Sequence, residues 1–346
     1  MSRAWITSAV AAALIVVGCK PGDSTGPGGI HPPPGPGVNL QNPAFYSSGV
    51  AAFEAAWGFP ALHSATGLSA VVGVAGAAPA RAPQCGAGFA AAPASPLAVF
   101  PDSALGRIYA YDLASGHFLV TTDTGGPTGG VEFRLPVMDS MGLIVTPLED
   151  AGTLDLFDVS PLAGPLTLHS KVTGTSGGTA DYLFAVTGKA DSNSGILSGR
   201  VAGPTGGRVF TFRDSTTGYL AQTTAGALVT DSGTGGVMKL LATKTQSDAF
   251  DYFYDLDLTY QSPGQRVRLL GHNNVYCLIP TIGLTVTVND SDFAIVSQGS
   301  AGPVITALSD SLTPAQDSAI RSLIRAQGEL FNWLAALAQP AKQFLP

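Results

Sequence analysis

Charge is what this chain has least of. Charged residues make up 12% of its 346 residues, about half the usual share of roughly 25%. The net charge of −7 leaves no basic stripe, which excludes a nucleic-acid partner. Cysteine is scarce: three residues cannot build a disulfide-dense scaffold or a zinc ribbon. The five histidines (31, 63, 117, 169 and 272) are scattered, with no pair at ligand spacing, so no metal site is expected. No phosphate-binding loop and no dinucleotide fingerprint follows a strand pattern, so no cofactor is expected. Heptads and a Gly-X-Y period are missing, which excludes a coiled coil and collagen. No apolar run is long enough for a membrane-spanning helix. What is abundant is apolar residues (45%), with 43 glycines and 25 prolines, the composition of a chain with a core and many turns.

The N-terminus carries the sharpest signal. Arg3 supplies a positive charge, and Ala4 to Val17 is apolar or small apart from Thr7 and Ser8. These are the proportions of a signal-peptide apolar region. The stretch Val16-Val17-Gly18-Cys19 resembles the lipobox of bacterial lipoproteins, where a small residue precedes an obligatory cysteine. The resemblance covers only the first 20 residues. It implies a signal peptide over 1–18, cleavage before Cys19, and a lipid on the Cys19 thiol and new N-terminus. Lys20 replaces the aspartate that holds enteric members at the inner membrane, so the resemblance points to the outer membrane of a bacterial cell envelope. With several acyl chains the anchor would be stable. Residues 19–43 are then the lipidated cysteine and a Gly/Pro-rich tether, and 44–346 are one domain. Fixed φ at proline and the entropy cost of ordering glycine keep such a tether from forming a core. In a PPII-like state, at about 3.1 Å per residue, it would reach about 70 Å.

With Cys19 lipidated, Cys85 and Cys277 remain, and two cysteines allow one pairing. In an oxidising periplasm a Cys85–Cys277 disulfide is expected, worth on the order of 5 kcal/mol for so long a loop. The alternative is two buried thiols.

From about 105 to 297 the pattern has period two. Val131, Phe133, Leu135 and Val137 alternate with Glu132 and Arg134; Ile282, Leu284, Val286 and Val288 alternate with Thr285 and Thr287. One buried and one wet face per strand is an antiparallel signature. Turn signals recur about every 8–14 residues, among them Gly174-Thr175-Ser176-Gly177, Gly203-Pro204 and Ser262-Pro263-Gly264. The fold class is therefore mainly β: an antiparallel meander of about twelve strands, its connections too short for parallel crossovers. A sheet this wide must curl into a half-barrel, close into a barrel or split into a two-layer sandwich. Gly-Gly pairs open strands at 177, 206 and 235, each 29 residues after the last, and GPTGG occurs at both 126 and 203. Both suggest a repeating hairpin unit.

Helices flank the sheet. Val50, Phe53 and Trp57 have helical spacing, with Gly58 and Pro60 as stop signals, so a short helix is expected over 48–57. Residues 59–100 give no assignable pattern. At the other end Thr313-Pro314-Ala315-Gln316 resembles a capping box with proline at N1. Ile320, Leu323, Ile324, Gln327, Leu330, Phe331, Leu334 and Leu337 then line one face of an amphipathic helix that packs on the sheet.

Catalytic patterns fail on context. Gly22-Asp23-Ser24-Thr25-Gly26 lies in the tether, and Gly174-Thr175-Ser176-Gly177-Gly178 precedes a strand where a nucleophile elbow needs a helix. Asp191-Ser192-Asn193-Ser194-Gly195 lacks the distal acid of a calcium loop. One polar group is worth a structural test. A hairpin around Ser262-Pro263-Gly264-Gln265 puts Asp255 across from His272 and Arg268 diagonal to Asp257, a candidate polar patch on the face opposite Tyr254, Leu256, Leu258 and Tyr260. It is either a solvated charge ladder or a binding site. The expectation is a non-enzymatic, lipid-anchored protein that binds an apolar ligand or an envelope component. At the level of architecture a half-barrel with a covering helix is similar to periplasmic lipoprotein carriers, which hold acyl chains. The alternative is a structural or adhesive envelope protein with a filled core, and behind it a hydrolase.

Overall fold

The computed structural model describes residues 39–67, 99–161, 164–189, 192–203, 206–217, 222–231, 234–246, 252–276, 279–299, 302–309, 311–338 and 340. Two helices come first, α1 (Pro43–Trp57) and α2 (Pro60–Gly67), and one last, α3 (Pro314–Leu337). Between them run β1 (Ile108–Asp112), β2 (His117–Val120), β3 (Gly130–Pro136), β4 (Asp150–Asp158), β5 (Leu166–Gly174), β6 (Thr179–Lys189), β7 (Ser192–Gly203) and β8 (Gly206–Thr217). Then follow β9 (Gln222–Asp231), β10 (Val237–Gln246), β11 (Tyr252–Ser262), β12 (Gln265–Tyr276), β13 (Ile279–Val288), β14 (Ser291–Gly299) and β15 (Gly302–Ala307).

All fifteen strands form one sheet in the order β15 to β3, then β1 and β2. The expected two-layer sandwich is thus replaced by one sheet. The closed barrel is also corrected, since β2 and β15 stand at opposite edges of that order. The count exceeds the expected twelve partly because β1, β2 and β15 are only five, four and six residues long, too short to show a period. The all-antiparallel expectation also needs one correction: β1 and β3 pair in parallel, Tyr109 opposite Phe133. The chain first folds back as β2, antiparallel to β1, and only then returns for β3. That detour supplies the dozen or more residues a parallel connection needs.

The hairpin spacing has a geometric cause. Gly177, Gly206, Gly235 and Gly264 are 29 residues apart in turn, and all have positive φ (+90°, +122°, +69° and +96°). They lie at the β5–β6, β7–β8, β9–β10 and β11–β12 connections, on one end of the sheet. Two strands of ten to twelve residues plus two turns return the chain to that end each time, and each return uses a residue free of the Cβ clash. At Gly264 this is position i+2 of the expected type II turn.

The helices share one core with the inner face of the sheet. The N-terminal helix is longer than expected: α1 starts at Pro43, and Pro60 does not end the structure but opens α2, both prolines sitting where a missing N–H costs nothing. Tyr46, Val50, Phe53 and Ala56 of α1 are buried against β7, β8, β11 and α3. The α3 capping box forms as read: Thr313 N donates to Gln316 Oε1 (2.9 Å) and Gln316 N to Thr313 Oγ1 (3.3 Å). Ile320, Leu323, Leu330, Leu334 and Leu337 are fully buried. No helix among the described residues is long and apolar enough to cross a membrane. Cys19, Cys85 and Cys277 lie outside the described residues, as do residues 1–18, expected to be a signal peptide, and most of the expected tether.

Candidate functional site

The β11–β12 hairpin forms in the register read from its turn. Asp255 lies opposite His272, and Leu258 opposite Leu269. Leu258, Tyr260, Val267 and Leu269 point into the core, which turns Asp255, Asp257, Arg268 and His272 outward. Arg268 grips Asp257 with two parallel hydrogen bonds, Nε to Oδ1 at 2.8 Å and Nη2 to Oδ2 at 2.9 Å. The carboxylate holds the guanidinium pKa above its ordinary value. His272 is exposed, with Gly283 beneath its ring. The four residues therefore share a face, but only the Arg268–Asp257 pair is locked. The arrangement is a half-exposed ion pair beside a solvated His–Asp register pair.

A second polar array, on β3–β7, was missed in the sequence. Glu132, Asp155, Lys171, Asp181 and Arg200 occupy one continuous cross-strand row. His169 Nε2–H donates to Asp181 Oδ1 (2.7 Å) while its ring stacks on Phe157, and Arg134 pairs with Asp123 (2.6 Å). Two carboxylates, Glu132 and Asp155, thus face each other directly. Burial, with Lys171 and His169 opposing it, pushes the Asp155 pKa up; burial and the Asp155 charge push Glu132 up. Asp155 Oδ1 is buried without a hydrogen-bond partner. Each residue could be assigned to the outward face from the period of its own strand. Their meeting depends on the β3–β4 register, which crosses the 137–149 loop.

Two further polar groups are structural. Arg208 and Asp231, both buried, pair at 3.0 Å across β8 and β9, and Thr234 donates to the same carboxylate (2.6 Å). At the start of the described chain, Asn39 accepts from Gln265 Nε2 at its carbonyl (3.0 Å) and from Gln316 Nε2 at Oδ1 (2.5 Å). Tyr46 Oη donates to the Gln265 carbonyl (3.3 Å), so the turn, α1 and the α3 cap close on one another.

The remaining sequence candidates within the described residues fall in one turn and one strand. Gly174-Thr175-Ser176-Gly177-Gly178 is the β5–β6 turn, closed by Gly174 N to Gly178 O (2.8 Å). Ser192 to Gly195 belongs to β7, and Asp191 lies outside the described residues. Among the described residues no group of three His, Cys, Asp or Glu side chains could hold a metal. No family model matches the chain, and no curated protein or solved structure does either.

Proposed function

We propose that this chain is a non-catalytic, lipid-anchored protein of the bacterial envelope, held at the outer membrane through Cys19, with a filled core and a structural or adhesive role. The sheet is read as a half-barrel rolled around its own three helices. Fifteen strands at about 4.8 Å spacing would be about 70 Å wide if flat, too wide for α1, α2 and α3 to cover. Yet residues from Phe118 of β2 to Val296 of β14 join one core with those helices.

The observation that carries the reading is the occupancy of the inner face. Val50 of α1 and Ile320, Leu323, Leu330 and Leu334 of α3 have zero exposure and belong to one cluster with the inward residues of the sheet. An apolar ligand in that place would have to displace α3 and match its buried leucines, each worth about 1.5–3 kcal/mol. A partner is instead met by the outer surface, which alternates hydroxyls, ion pairs and half-exposed aliphatics.

Two measurements test this. Labelling with a palmitate analogue should mark the wild type and not Cys19→Ser; equal labelling removes the anchor. Native mass spectrometry after gentle detergent extraction should find no lipid beyond the covalent anchor. A stoichiometric co-purifying lipid would replace the filled-core reading by that of a carrier. The disulfide is tested separately: protein from the periplasm should show no free thiol under denaturing, non-reducing conditions.

A further inference from the structure

We infer that the edge of β15, unpaired among the described residues, is a strand-addition site for an extended polypeptide with an apolar–polar–apolar pattern, supplied by another protein. The inference rests on the edge alone and stands whether or not the chain is lipid-anchored.

The backbone at this edge can be resolved residue by residue. Ala294 lies opposite Ala307, and Leu308 N donates to Phe293 O at 3.1 Å. In an antiparallel ladder that bond makes 293/308, 295/306, 297/304 and 299/302 the hydrogen-bonded pairs. Gly302, Val304 and Thr306 therefore turn their amide groups toward β14, and Pro303, Ile305 and Ala307 turn theirs outward. Pro303 has no N–H to offer, and its carbonyl is taken by Arg321 Nη1 (3.1 Å). This closes one end of the edge, as expected for an edge guarded against indiscriminate pairing. Ile305 and Ala307 are left with outward N–H and C=O groups.

Ile305 and Ala307 also line a cavity of ≈590 Å³, together with Thr306, Ser309, Leu312 and Asp317. Backbone donors and acceptors that alternate along a strand are matched by one ligand class, another extended backbone. The lining sets the side-chain pattern. Ile305 opposes core residue Val296 and packs on the core with Leu312, so residues paired with Ile305 and Ala307 point to an apolar inner side. The residue between them points to the outer side, beside Thr306. Asp317 is already paired with Arg321 (2.7 Å), so a charged residue gains nothing there.

The probe is the capped peptide acetyl-Thr-Val-Thr-Val-Thr-amide, titrated into the full chain in mild detergent. The chain is labelled with ¹⁵N at isoleucine and alanine. Saturable shifts should appear at the Ile305 and Ala307 amides. Loss of the edge hydrogen bonds should weaken binding roughly ten-fold, in two independent ways: N-methylation of the peptide at both valines, and Ala307→Pro in the protein. The N-methylated peptide leaves the protein untouched, so it reads the same bonds even if Ala307→Pro disturbs the fold. No shift at either amide, or equal binding of the N-methylated peptide, overturns the inference. A concentration-dependent dimer of the wild type, lost in Ala307→Pro, also overturns it by making a second copy of this chain the occupant.

Discussion

The two faces of strands β6–β12 are one residue apart in sequence and opposite in environment. Inward, Tyr182, Leu197, Phe210, Val229, Leu240, Leu258 and Leu269 are at most 3% exposed. Outward, Leu183, Ile196, Val209, Leu228, Leu241, Phe253 and Leu270 are 38–51% exposed. Both rows are apolar. Hydrophobicity therefore does not decide which face becomes core; the helices do. The inward row shares one core with α1 and α3, whereas the outward row sits among Ser198, Thr211, Thr243 and Thr259 and the charged ladders. A one-residue slip would exchange the rows and bury Arg213 and Asp257, so the outward charges hold the register as firmly as the inward leucines.

The largest expected effect separates the rows directly. Leu258→Ala or Leu323→Ala should cost about 2–5 kcal/mol, the transfer term plus a cavity. Leu241→Ala, of the same chemistry on the outer face, should stay within about 0.5 kcal/mol. Urea denaturation of the three variants is the measurement. Equal losses would mean that the outer row is also covered in solution.

The next effect concerns how closely the helices approach the sheet. A Cβ on Gly178 would lie 2.4 Å from the Phe59 ring, at the α1–α2 junction. Gly178→Ala should destabilise by about 1–3 kcal/mol through overpacking. Adding Phe59→Leu should return part of that loss, a coupling readable in a double-mutant cycle of thermal melts. Additive losses would show that Phe59 does not seat there.

These contrasts also explain what was legible beforehand. The β11–β12 hairpin could be read to the residue because Ser262-Pro263-Gly264-Gln265 fixes a turn type, and the turn fixes the register. The α3 start was legible because Thr313 and Gln316 satisfy each other locally. By contrast β2 has a single buried residue, Phe118, and so no alternation. In α2, the sequence Pro60-Ala61-Leu62-His63-Ser64-Ala65-Thr66-Gly67 lacks a strong apolar stripe, and its helix is held by burial against β4 and β5. The row from Glu132 to Arg200 needs four registers at once. One of them crosses a loop whose only ladder element is the isolated Met138–Ile144 bridge.

A smaller effect comes from Glu132 and Asp155. Both carboxyl pKa values are raised in the folded chain, with burial the first cause. Their stabilising contribution is therefore complete below the ordinary carboxyl range of about 4. It is lost as pH rises through the raised values. Stability measured from pH 4 upward should fall over this window by these two groups. Asp155→Asn should flatten that slope and, by ending a like-charge contact across strands, gain roughly 0.2–1 kcal/mol at neutral pH. Chemical denaturation of both proteins at pH 4.5 and 7.5 decides it. An unchanged slope in Asp155→Asn would place the proton elsewhere among the carboxylates.

The smallest effect is the one the sequence singled out. Asp257 and Arg268 have ideal bidentate geometry, but their side chains are 31% and 38% exposed. Water screens the pair, and ordering two side chains costs entropy, so the coupling should be about 0.2–1 kcal/mol and should shrink with added salt. If the pair instead served as a recognition element, Asp257→Asn would leave stability nearly unchanged yet abolish a partner's binding. The structural reading expects the opposite pattern: a small stability loss in a double-mutant cycle of Asp257→Asn with Arg268→Gln, the same in the presence or absence of envelope extract. A coupling that rises above about 2 kcal/mol on adding the extract would mean that something covers this patch and excludes water from it, because only desolvation makes an ion pair of this geometry so strong.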